Sequence, residues 1–271
     1  MIEDFIKTVV KEDIGRGDLF SRISEAKEIR SYIIAKSDGV FGGREYIDTL
    51  AKMYDLSVIW EIKDGESFQK GKKLLFVSGN SKTILSLERS ILDIVLHASS
   101  IATLTAKYVK AIEGTGVKLL DTRKTRPLLR AFEKYAVRCG GGLNHRMGLD
   151  DCLMLKDTHL KTIDDLDGFM QEVREKIPFT SKVEIECETL EMAQKAMKAG
   201  ADIVMCDNMS NEETREVVAY RNAHYPHILL EASGNVTLET IRQIAATGVD
   251  AISSGAIIHQ ANWIDLSMKV E

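Results

Sequence analysis

After about residue 115 the chain alternates between short apolar strands and helical stretches, and this alternation constrains the fold more than any other feature. The helical stretches include TLEMAQKAMKAGA and TLETIRQIAATGV, and the strand segments are 117–121, 153–157, 182–187, 202–207, 227–233 and 250–255. Repeating βα units imply a parallel sheet. Polar residues end every one of these strands. In an α/β barrel the whole carboxyl rim carries the chemistry, whereas a doubly wound sheet binds ligands only near its switch point. The pattern therefore favours a barrel.

Before about residue 105 the pattern mixes helices with antiparallel strands. Residues 2–11 have helical periodicity, SYIIAKSDGVFGG predicts a strand with glycine turns, and VIWEIKDGESFQKGKKLLFVSG predicts antiparallel strands with Asp-Gly and Lys-Gly turns. TILSLERSILDIVLHASSIATLTAKYVKAIEG has helical periodicity again, and Ser99-Ser100 predicts its division into two helices. The chain is therefore predicted to form an N-terminal domain over residues 1–105 and a barrel domain over residues 106–271.

Charge and cysteine usage exclude several classes of protein. The formal net charge of the 271-residue chain is -5, which argues against nucleic acid as the main partner. No apolar run approaches the roughly 20 residues of a membrane span, and the acidic N-terminus does not resemble a signal peptide. The four cysteines form no C-x-x-C pair, so neither a zinc site nor a disulfide framework is predicted. We expect a cytoplasmic protein with no membrane partner.

The segment KVEIECE places charged side chains on one face of a strand. Because side chains alternate along a strand, Lys182, Glu184 and Glu186 share one face, and Val183 and Ile185 share the other. A half-exposed edge strand would explain this pattern, but so would a barrel strand whose charged face points inward. Buried carboxylates need partners, and a metal ion or the hydroxyls of a sugar would serve.

Two strand ends carry Ser-Gly, at 233–234 and at 254–255, and each is predicted to lead directly into a helix. Backbone N–H groups at a helix N-terminus bind phosphate, and the last two loops of a barrel are the usual phosphate position. An ordinary helix cap is the alternative for either one. Two in succession predict a phosphate site.

Positive charge is concentrated between Asp121 and Lys161, where nine Lys and Arg residues oppose five Asp and Glu residues. Arg123, Lys124 and Lys156 directly follow apolar strands, so they predict a site for a ligand with several negative charges. Arg130, Lys134 and Arg138 recur every four residues, which predicts a solvated helix face instead. His145, beside Arg146 and a triple glycine, is predicted to be functional, whereas a structural role is expected of the other candidates, His224, His227 and His259.

These residues resemble the quinolinate phosphoribosyltransferase family, whose members are also called carboxylating nicotinate-nucleotide pyrophosphorylases. The likeness lies in DTRKTRPLLRAFEKYAVRCGGGLNHRMGLDDCLMLKDTHL, EIECETLEMAQKAMKAGADIVMCDNMS, LLEASGNVTLETIRQIAATGVDAISSGAIIH, LERSILDIVLHASSIAT and KEDIGRGDLFS. It covers nearly the whole chain. Four short segments, KDTH, SSGA, IECE and ASSIAT, depart from the commonest family pattern, but none of these changes removes a charge that the chemistry uses.

The resemblance implies an α/β fold in which an N-terminal α/β sandwich domain joins an incomplete, seven-stranded α/β barrel, with the C-terminal tail returning to the sandwich. The residues themselves predict only six of those barrel strands. The implied reaction joins quinolinate to phosphoribosyl pyrophosphate and yields nicotinate mononucleotide, pyrophosphate and CO2 in de novo NAD biosynthesis. The family also implies Mg2+ and a homodimer with shared active sites, and it leaves a higher homo-oligomer open.

The family's functional residues transfer to matching positions of this chain. Arg123, His145, Arg146 and Lys156 match contacts to quinolinate, and Thr122 and Lys124 match residues that line the pocket. Glu186 and Asp207 match carboxylates near the ribose and Mg2+, and these two with Lys156 are the expected catalytic residues. Arg89 matches an arginine that reaches the partner subunit's site. The expected phosphate-binding loops are Ser233, Gly234 and Asn235, followed by Ser254, Gly255 and Ala256.

Two other functions stay open at this point. Lys156 at a barrel strand end would suit a Schiff-base aldolase, in which a lysine amine attacks a carbonyl substrate. A related phosphoribosyltransferase that acts on another ring would carry a similar set of charges. A binding module without catalysis is disfavoured, because the strand ends carry a full set of charged groups.

Overall fold

A computed structural model describes residues 1–271. Its helices are α1 (Ile2–Ile14), α2 (Leu19–Ile23), α3 (Arg44–Met53), α4 (Ser81–Ala111), α5 (Arg130–Cys139), α6 (Asp157–Leu160), α7 (Leu166–Lys176), α8 (Leu190–Lys198), α9 (Asn211–His224), α10 (Ile241–Ala245) and α11 (Ala256–His259). Its strands are β1 (Glu28–Ala35), β2 (Gly39–Val40), β3 (Ser57–Trp60), β4 (Ser67–Phe68), β5 (Lys73–Asn80), β6 (Lys118–Leu120), β7 (Leu153–Leu155), β8 (Val183–Cys187), β9 (Ile203–Asp207), β10 (Leu229–Ser233), β11 (Ala251–Ser253) and β12 (Leu266–Val270).

The chain forms two compact units, and the first contains residues 1–106, 135–141 and 261–271. Its main sheet is antiparallel in the order β12-β1-β5-β3, so the last strand of the chain pairs with the first, with Ile33 opposite Met268. Inward-facing Ile33, Leu75 and Val77 are fully buried. The predicted antiparallel strands are confirmed. The predicted boundary between residues 105 and 106 stays a prediction.

A single helix, α4, replaces the two helices that the sequence predicts over residues 83–114, so the predicted break at Ser99-Ser100 is wrong. Serine favours a break when its hydroxyl competes with the backbone hydrogen bonds of a helix. Here the Ser100 hydroxyl donates to the carbonyl of Leu96 one turn earlier, and the Ser99 hydroxyl contacts the backbone of Gly42. Both hydroxyls are buried and bonded, so the helix continues through them.

The second unit, residues 107–134 and 142–260, contains a parallel sheet in the order β6-β11-β10-β9-β8-β7. All six predicted strands are present, and the mixed α/β fold with an N-terminal antiparallel domain is confirmed. The family resemblance implies seven strands and the sheet has six, to which Leu143 adds one isolated parallel bridge with Leu120 of β6.

Successive side chains along β8 point to opposite faces of this sheet. Val183, Ile185 and Cys187 are buried on one face, and Glu184 and Glu186 lie on the other. Glu184 is fully buried, so the edge-strand alternative for this segment is wrong. The helices that follow begin at polar caps, Thr189 for α8 and Ser210 for α9, whose side-chain oxygens accept N–H groups of the first turn.

Candidate active site

A cavity of about 270 Å3 opens at the carboxyl ends of the parallel strands. It gathers predicted residues from four strand ends and from the segment around His145, and its lining consists of Thr122, Arg123, Lys124, His145, Arg146, Met154, Lys156, Glu186, Met205, Ser233 and Ser253. We call this cavity the rim pocket. Met154, Met205 and Ser253 are additional to the predicted set. They lie on inward-facing strand positions that alternation identifies but that residue type alone does not mark.

The rim pocket has an excess of positive charge. The side chains of Arg123 and Lys124 make no ion pair with any carboxylate, although both line the cavity. Partial burial and the neighbouring cations Arg146 and Arg130 lower the pKa of the Arg123 guanidinium. A cavity whose cations repel one another and lack protein partners attracts an anionic ligand. This arrangement predicts a ligand with at least two negative groups.

Arg146 and Lys156 are more firmly held. Arg146 is 7% exposed, and its guanidinium donates to the carbonyl of Cys152 at 2.8 Å and contacts the sulfur of Met154 at 3.5 Å. The Lys156 ammonium forms an ion pair with Glu186, and its side chain is 38% exposed. Both side chains therefore reach a ligand from fixed positions and lose little conformational entropy on binding.

Lys134 and Asp121 form a buried ion pair next to the segment that contains His145. Both side chains are fully buried, so the prediction that Lys134 lies on a solvated helix face is wrong. Asp121 also accepts from the Asn144 amide at 2.6 Å and from the backbone N–H of His145 at 2.9 Å. Burial raises the pKa of Asp121 and lowers the pKa of Lys134, and the hydrogen bond between them opposes both shifts. Asp121 thus ties the 144–145 segment to β6.

His145 lies between two buried glutamates. Its Nε2 atom is 3.1 Å from Oε2 of Glu184 and 3.3 Å from Oε2 of Glu231, and its Nδ1 accepts the backbone N–H of Arg146 at 2.7 Å. Burial lowers the pKa of His145 and interactions with Glu184 and Glu231 raise it more, while the Arg146 N–H that faces Nδ1 disfavours the doubly protonated ring. Both ring nitrogens are occupied by protein groups. A nitrogen contact to quinolinate, as predicted for His145, would replace one of these interactions.

In the first predicted phosphate loop, the backbone conformation and surroundings of residue 234 favour glycine. Gly234 has φ +94, and a Cβ atom there would lie 2.1 Å from Oδ1 of Asn208 and 3.0 Å from its backbone nitrogen. Asn208 and Asn235 also have positive φ, and their side-chain amides hydrogen-bond at 3.2 Å. The prediction that a helix directly follows Ser233-Gly234 is wrong, because α10 begins only at Ile241. Any backbone N–H groups for a phosphate here would therefore come from the loop and not from the end of a helix.

The second predicted phosphate loop lies beside a pocket cation. A Cβ atom on Gly255 would be 3.2 Å from Cδ of Lys124, so the lysine side chain passes over this glycine. The Ser254 hydroxyl accepts the N–H of Ala256, and α11 begins at Ala256 as predicted. Neither loop lines the rim pocket apart from Ser233, since Gly234, Asn235, Ser254, Gly255 and Ala256 lie outside that lining.

Glu186 and Asp207 share the inward face of neighbouring strands. The register pairs Glu186 with Met205, so Asp207 lies two residues further along β9 on the same face, and it pairs with Ser233 of β10. Asp207 does not line the rim pocket, and its carboxylate accepts the Asn208 amide at 3.0 Å. The predicted pair thus lies along one path from the rim pocket toward the first phosphate loop.

Sequence comparison identifies the family. Residues 18–99 match the model of the quinolinate phosphoribosyl transferase N-terminal domain, and residues 101–269 match the model of its C-terminal domain. Those two matches cover nearly the whole chain. The chain belongs to the quinolinate phosphoribosyltransferase family.

Relatives within this family resemble the chain over its full length. A probable carboxylating nicotinate-nucleotide pyrophosphorylase of Methanothermobacter thermautotrophicus is 36% identical and covers 98% of both chains. Its counterpart in Bacillus subtilis is 38% identical over 96% of this chain and 90% of the relative. The crystal structure of NadC from Streptococcus pyogenes aligns with a TM-score of 0.92 at 35% identity, covering 100% of this chain and 96% of the other. The fold and the family are therefore shown.

Arg89, the family residue expected at a partner's site, is on α4, away from the strand ends in sequence. Its side chain is 60% exposed and pairs with Asp93 one turn later at 3.3 Å. An exposed pair of this kind contributes little to stability, so the arginine is available for another anion. The roles assigned to Arg89 and to the other site residues stay predictions.

Proposed function

We propose that the chain catalyses phosphoribosyl transfer from phosphoribosyl pyrophosphate to quinolinate with decarboxylation, giving nicotinate mononucleotide, pyrophosphate and CO2. This is the activity named for its family relatives. The observation that carries it is the rim pocket, in which Arg123 and Lys124 have no protein anion and Arg146 and Lys156 are fixed beside them. Quinolinate supplies two carboxylates to such a pocket, and phosphoribosyl pyrophosphate supplies a 5'-phosphate and a pyrophosphate.

The reaction requires two oppositely charged surfaces in one site. Departure of pyrophosphate gives the anomeric carbon oxocarbenium character, which the carboxylates of Glu186 and Asp207 would stabilise. The cations hold quinolinate so that its ring nitrogen faces that carbon, which converts a bimolecular reaction into an oriented one. Once the nitrogen is bonded to the ribose, the positively charged ring accepts the electron pair left by the departing CO2, and a proton replaces it on that carbon.

Magnesium is part of this proposal, and the residues at hand fit it. Glu186 and Asp207 are hard oxygen donors on one face of adjacent strands, which suits Mg2+. Only one oxygen of Glu186 contacts Lys156, so the other is free for a metal or a hydroxyl. Bound Mg2+ would neutralise charge on the pyrophosphate, while the two carboxylates hold the ion at the ribose end of the site.

The Schiff-base aldolase alternative does not fit the surroundings of Lys156. A lysine nucleophile must lose its proton, which a neighbouring cation or an apolar pocket promotes. Lys156 instead contacts the carboxylate of Glu186, which is neither a cation nor an apolar surface. This favours the transferase over the aldolase.

We expect the parent enzyme to discriminate strongly between quinolinate and nicotinate. Nicotinate lacks the second carboxylate, so it would leave part of the cation cluster without an anionic partner. A site built to bind a charged group rejects analogues that lack it, and kcat/KM for nicotinate should be at least about 100-fold lower. Steady-state assays with each acid at saturating phosphoribosyl pyrophosphate measure the ratio. Equal turnover of the two acids would contradict the proposed substrate.

The proposal includes a homodimer with shared sites, and a larger assembly of such dimers is compatible with it. The exposed guanidinium of Arg89 and the excess of cations at the rim pocket suggest that this arginine adds to a site across a twofold interface. The chain is also expected to act in the cytoplasm. Its four cysteines are unpaired thiols, as a reducing compartment requires. None of its helices combines the length and apolarity needed to span a bilayer.

Mixing two inactive variants tests the shared site. Arg89→Ala keeps an intact barrel and Lys156→Ala keeps an intact Arg89, so a mixed dimer would contain one complete site. After exchange of equal amounts about half the dimers are mixed, and activity should recover to about a quarter of the parent's. Native mass spectrometry verifies the exchange. Mixed dimers without activity would show that Arg89 does not act across the interface.

A further inference from the structure

Glu184 and Glu231 are buried carboxylates for which the reaction itself gives no role. Glu184 is fully buried and Glu231 is 2% exposed. Neither oxygen of Glu184, nor Oε1 of Glu231, has a hydrogen-bond partner, although Nε2 of His145 lies 3.1 Å from Oε2 of Glu184 and 3.3 Å from Oε2 of Glu231. A buried carboxylate is strongly destabilised unless a nearby group offsets its loss of hydration. The one group that both carboxylates share is the His145 ring.

The two ring nitrogens of His145 are held in different ways. Nδ1 accepts the backbone N–H of Arg146, so its lone pair faces that N–H and the ring proton belongs on Nε2. Nε2 lies within 3.3 Å of a carboxylate oxygen from each glutamate. The glutamates thereby fix the tautomer and the plane of the ring, and the ring in turn holds the backbone of Arg146.

We propose that Glu184 and Glu231 are positioning residues that act on substrate binding through His145. Glu184 on β8 and Glu231 on β10 orient the imidazole. The imidazole in turn orients the backbone N–H of Arg146, whose guanidinium lines the rim pocket. The role rests on the proposed function, because the substrate positioned in this way is quinolinate. Metal sites and catalytic triads both use a partner of this kind, which sets the tautomer and orientation of a functional histidine.

The same three side chains have the composition of a metal site, since their ligand atoms all lie within 4.8 Å of one another. A metal on Nε2 would require the ring proton on Nδ1, which faces the Arg146 N–H at 2.7 Å. That exchange would break the backbone contact. The Arg146 contact therefore favours a cluster without metal, and nitrogen NMR distinguishes it from a metal centre.

A double-mutant cycle tests the positioning role. Glu184→Met removes the acceptor at nearly constant volume, and Glu184→Gln keeps an oxygen that can accept from Nε2. We expect Glu184→Met to weaken quinolinate binding about 10-fold or more, and Glu184→Gln to restore most of it, as for other orienting partners. In a His145→Phe background, Glu184→Met should have no further effect, because its influence passes through the ring. Calorimetry up to millimolar quinolinate supplies the dissociation constants.

Matched controls separate positioning from general damage to β8. Ile185→Val alters the opposite, buried face of the same strand and should leave quinolinate binding within about twofold. If Glu184→Met does not fold by circular dichroism, Glu231→Met takes its place with the same expectations. Parent-like binding by the methionine variant, or an equal loss in the His145→Phe background, would overturn the proposal.

Nitrogen NMR of the 15N-histidine-labelled parent provides a readout that does not depend on turnover. A proton on Nε2 and a bare Nδ1 at residue 145 are expected, with assignment by loss of the signal in His145→Phe. A proton on Nδ1, with or without one on Nε2, would overturn the arrangement, and a signal that responds to chelator would overturn it and indicate the metal site. If the parent fails to bind quinolinate while the Nε2 proton is present, the proposed substrate is wrong and the hydrogen-bonded arrangement stands.

Discussion

Replacing Arg123 with alanine is expected to lower kcat/KM for quinolinate by about 30- to 1000-fold. The side chain lines the rim pocket, has no carboxylate partner, and is repelled by Arg146 and Arg130 until an anion binds. A charge-assisted, two-pronged arginine–carboxylate contact made only with substrate is worth roughly 2–4 kcal/mol, which gives that range. Because Arg123 makes no internal ion pair, its removal should not lower the melting temperature of the protein.

An exposed arginine on α9 offers the control for this experiment. Arg215 pairs only with Glu212 on the same helix at 3.2 Å, so Arg215→Ala should leave kcat/KM within about twofold of the parent. Steady-state kinetics and a thermal melt on both variants separate binding from folding. An Arg123→Ala enzyme with parent kinetics would show that the unpaired charge of the rim pocket is not the quinolinate site.

Replacing Glu186 with alanine is expected to reduce kcat by about 100- to 1000-fold, the usual effect of losing one group that stabilises transition-state charge. Quinolinate binding should be retained or strengthened, because the change releases Lys156 from its ion pair and makes the pocket more positive. The Mg2+ concentration that gives half-maximal activity should rise. Asp207→Ala should behave similarly, since it lies on the same face of the adjacent strand.

Glu191 is the matched control, because it is an exposed glutamate on α8 that pairs only with Lys195 of the same helix. Glu191→Ala should keep kcat within about twofold of the parent. Rapid-quench kinetics give kcat, and calorimetry gives the quinolinate dissociation constant. Loss of quinolinate binding in both carboxylate variants would show that Glu186 and Asp207 belong to the ring-binding part of the site.

The parallel half of the fold could be predicted because its signals are local. Most of its strands are short apolar runs, and a polar residue marks the point where each reaches the rim, so the pattern predicts Lys156 and Ser233 at strand ends, where the structure has them. The break in α4 was predicted wrongly because Ser99 is stabilised by a contact to Gly42, more than 50 residues away in the chain. Sequence periodicity contains no information about such a contact.

The buried charged residues next to the rim pocket were harder to predict for the same reason. Lys134 has the four-residue spacing of an exposed helix face, yet it is buried against Asp121. In the sequence, Glu231 is a polar residue inside an apolar strand. It lies beside His145 because of the register of β10 with its neighbouring strands and the path of residues 144–146. Charged residues within strands that otherwise read as apolar were the available signal for Glu184 and Glu231.

Incubating the purified protein with quinolinate, phosphoribosyl pyrophosphate and Mg2+ tests the central claim most directly. Chromatography should show nicotinate mononucleotide, with one CO2 and one pyrophosphate released for each nucleotide formed. The stoichiometry matters because transfer and decarboxylation must occur on the same ring, and nicotinate in place of quinolinate supplies the internal comparison. Folded protein that forms no nucleotide from quinolinate, or that forms it equally well from nicotinate without releasing CO2, would contradict the account.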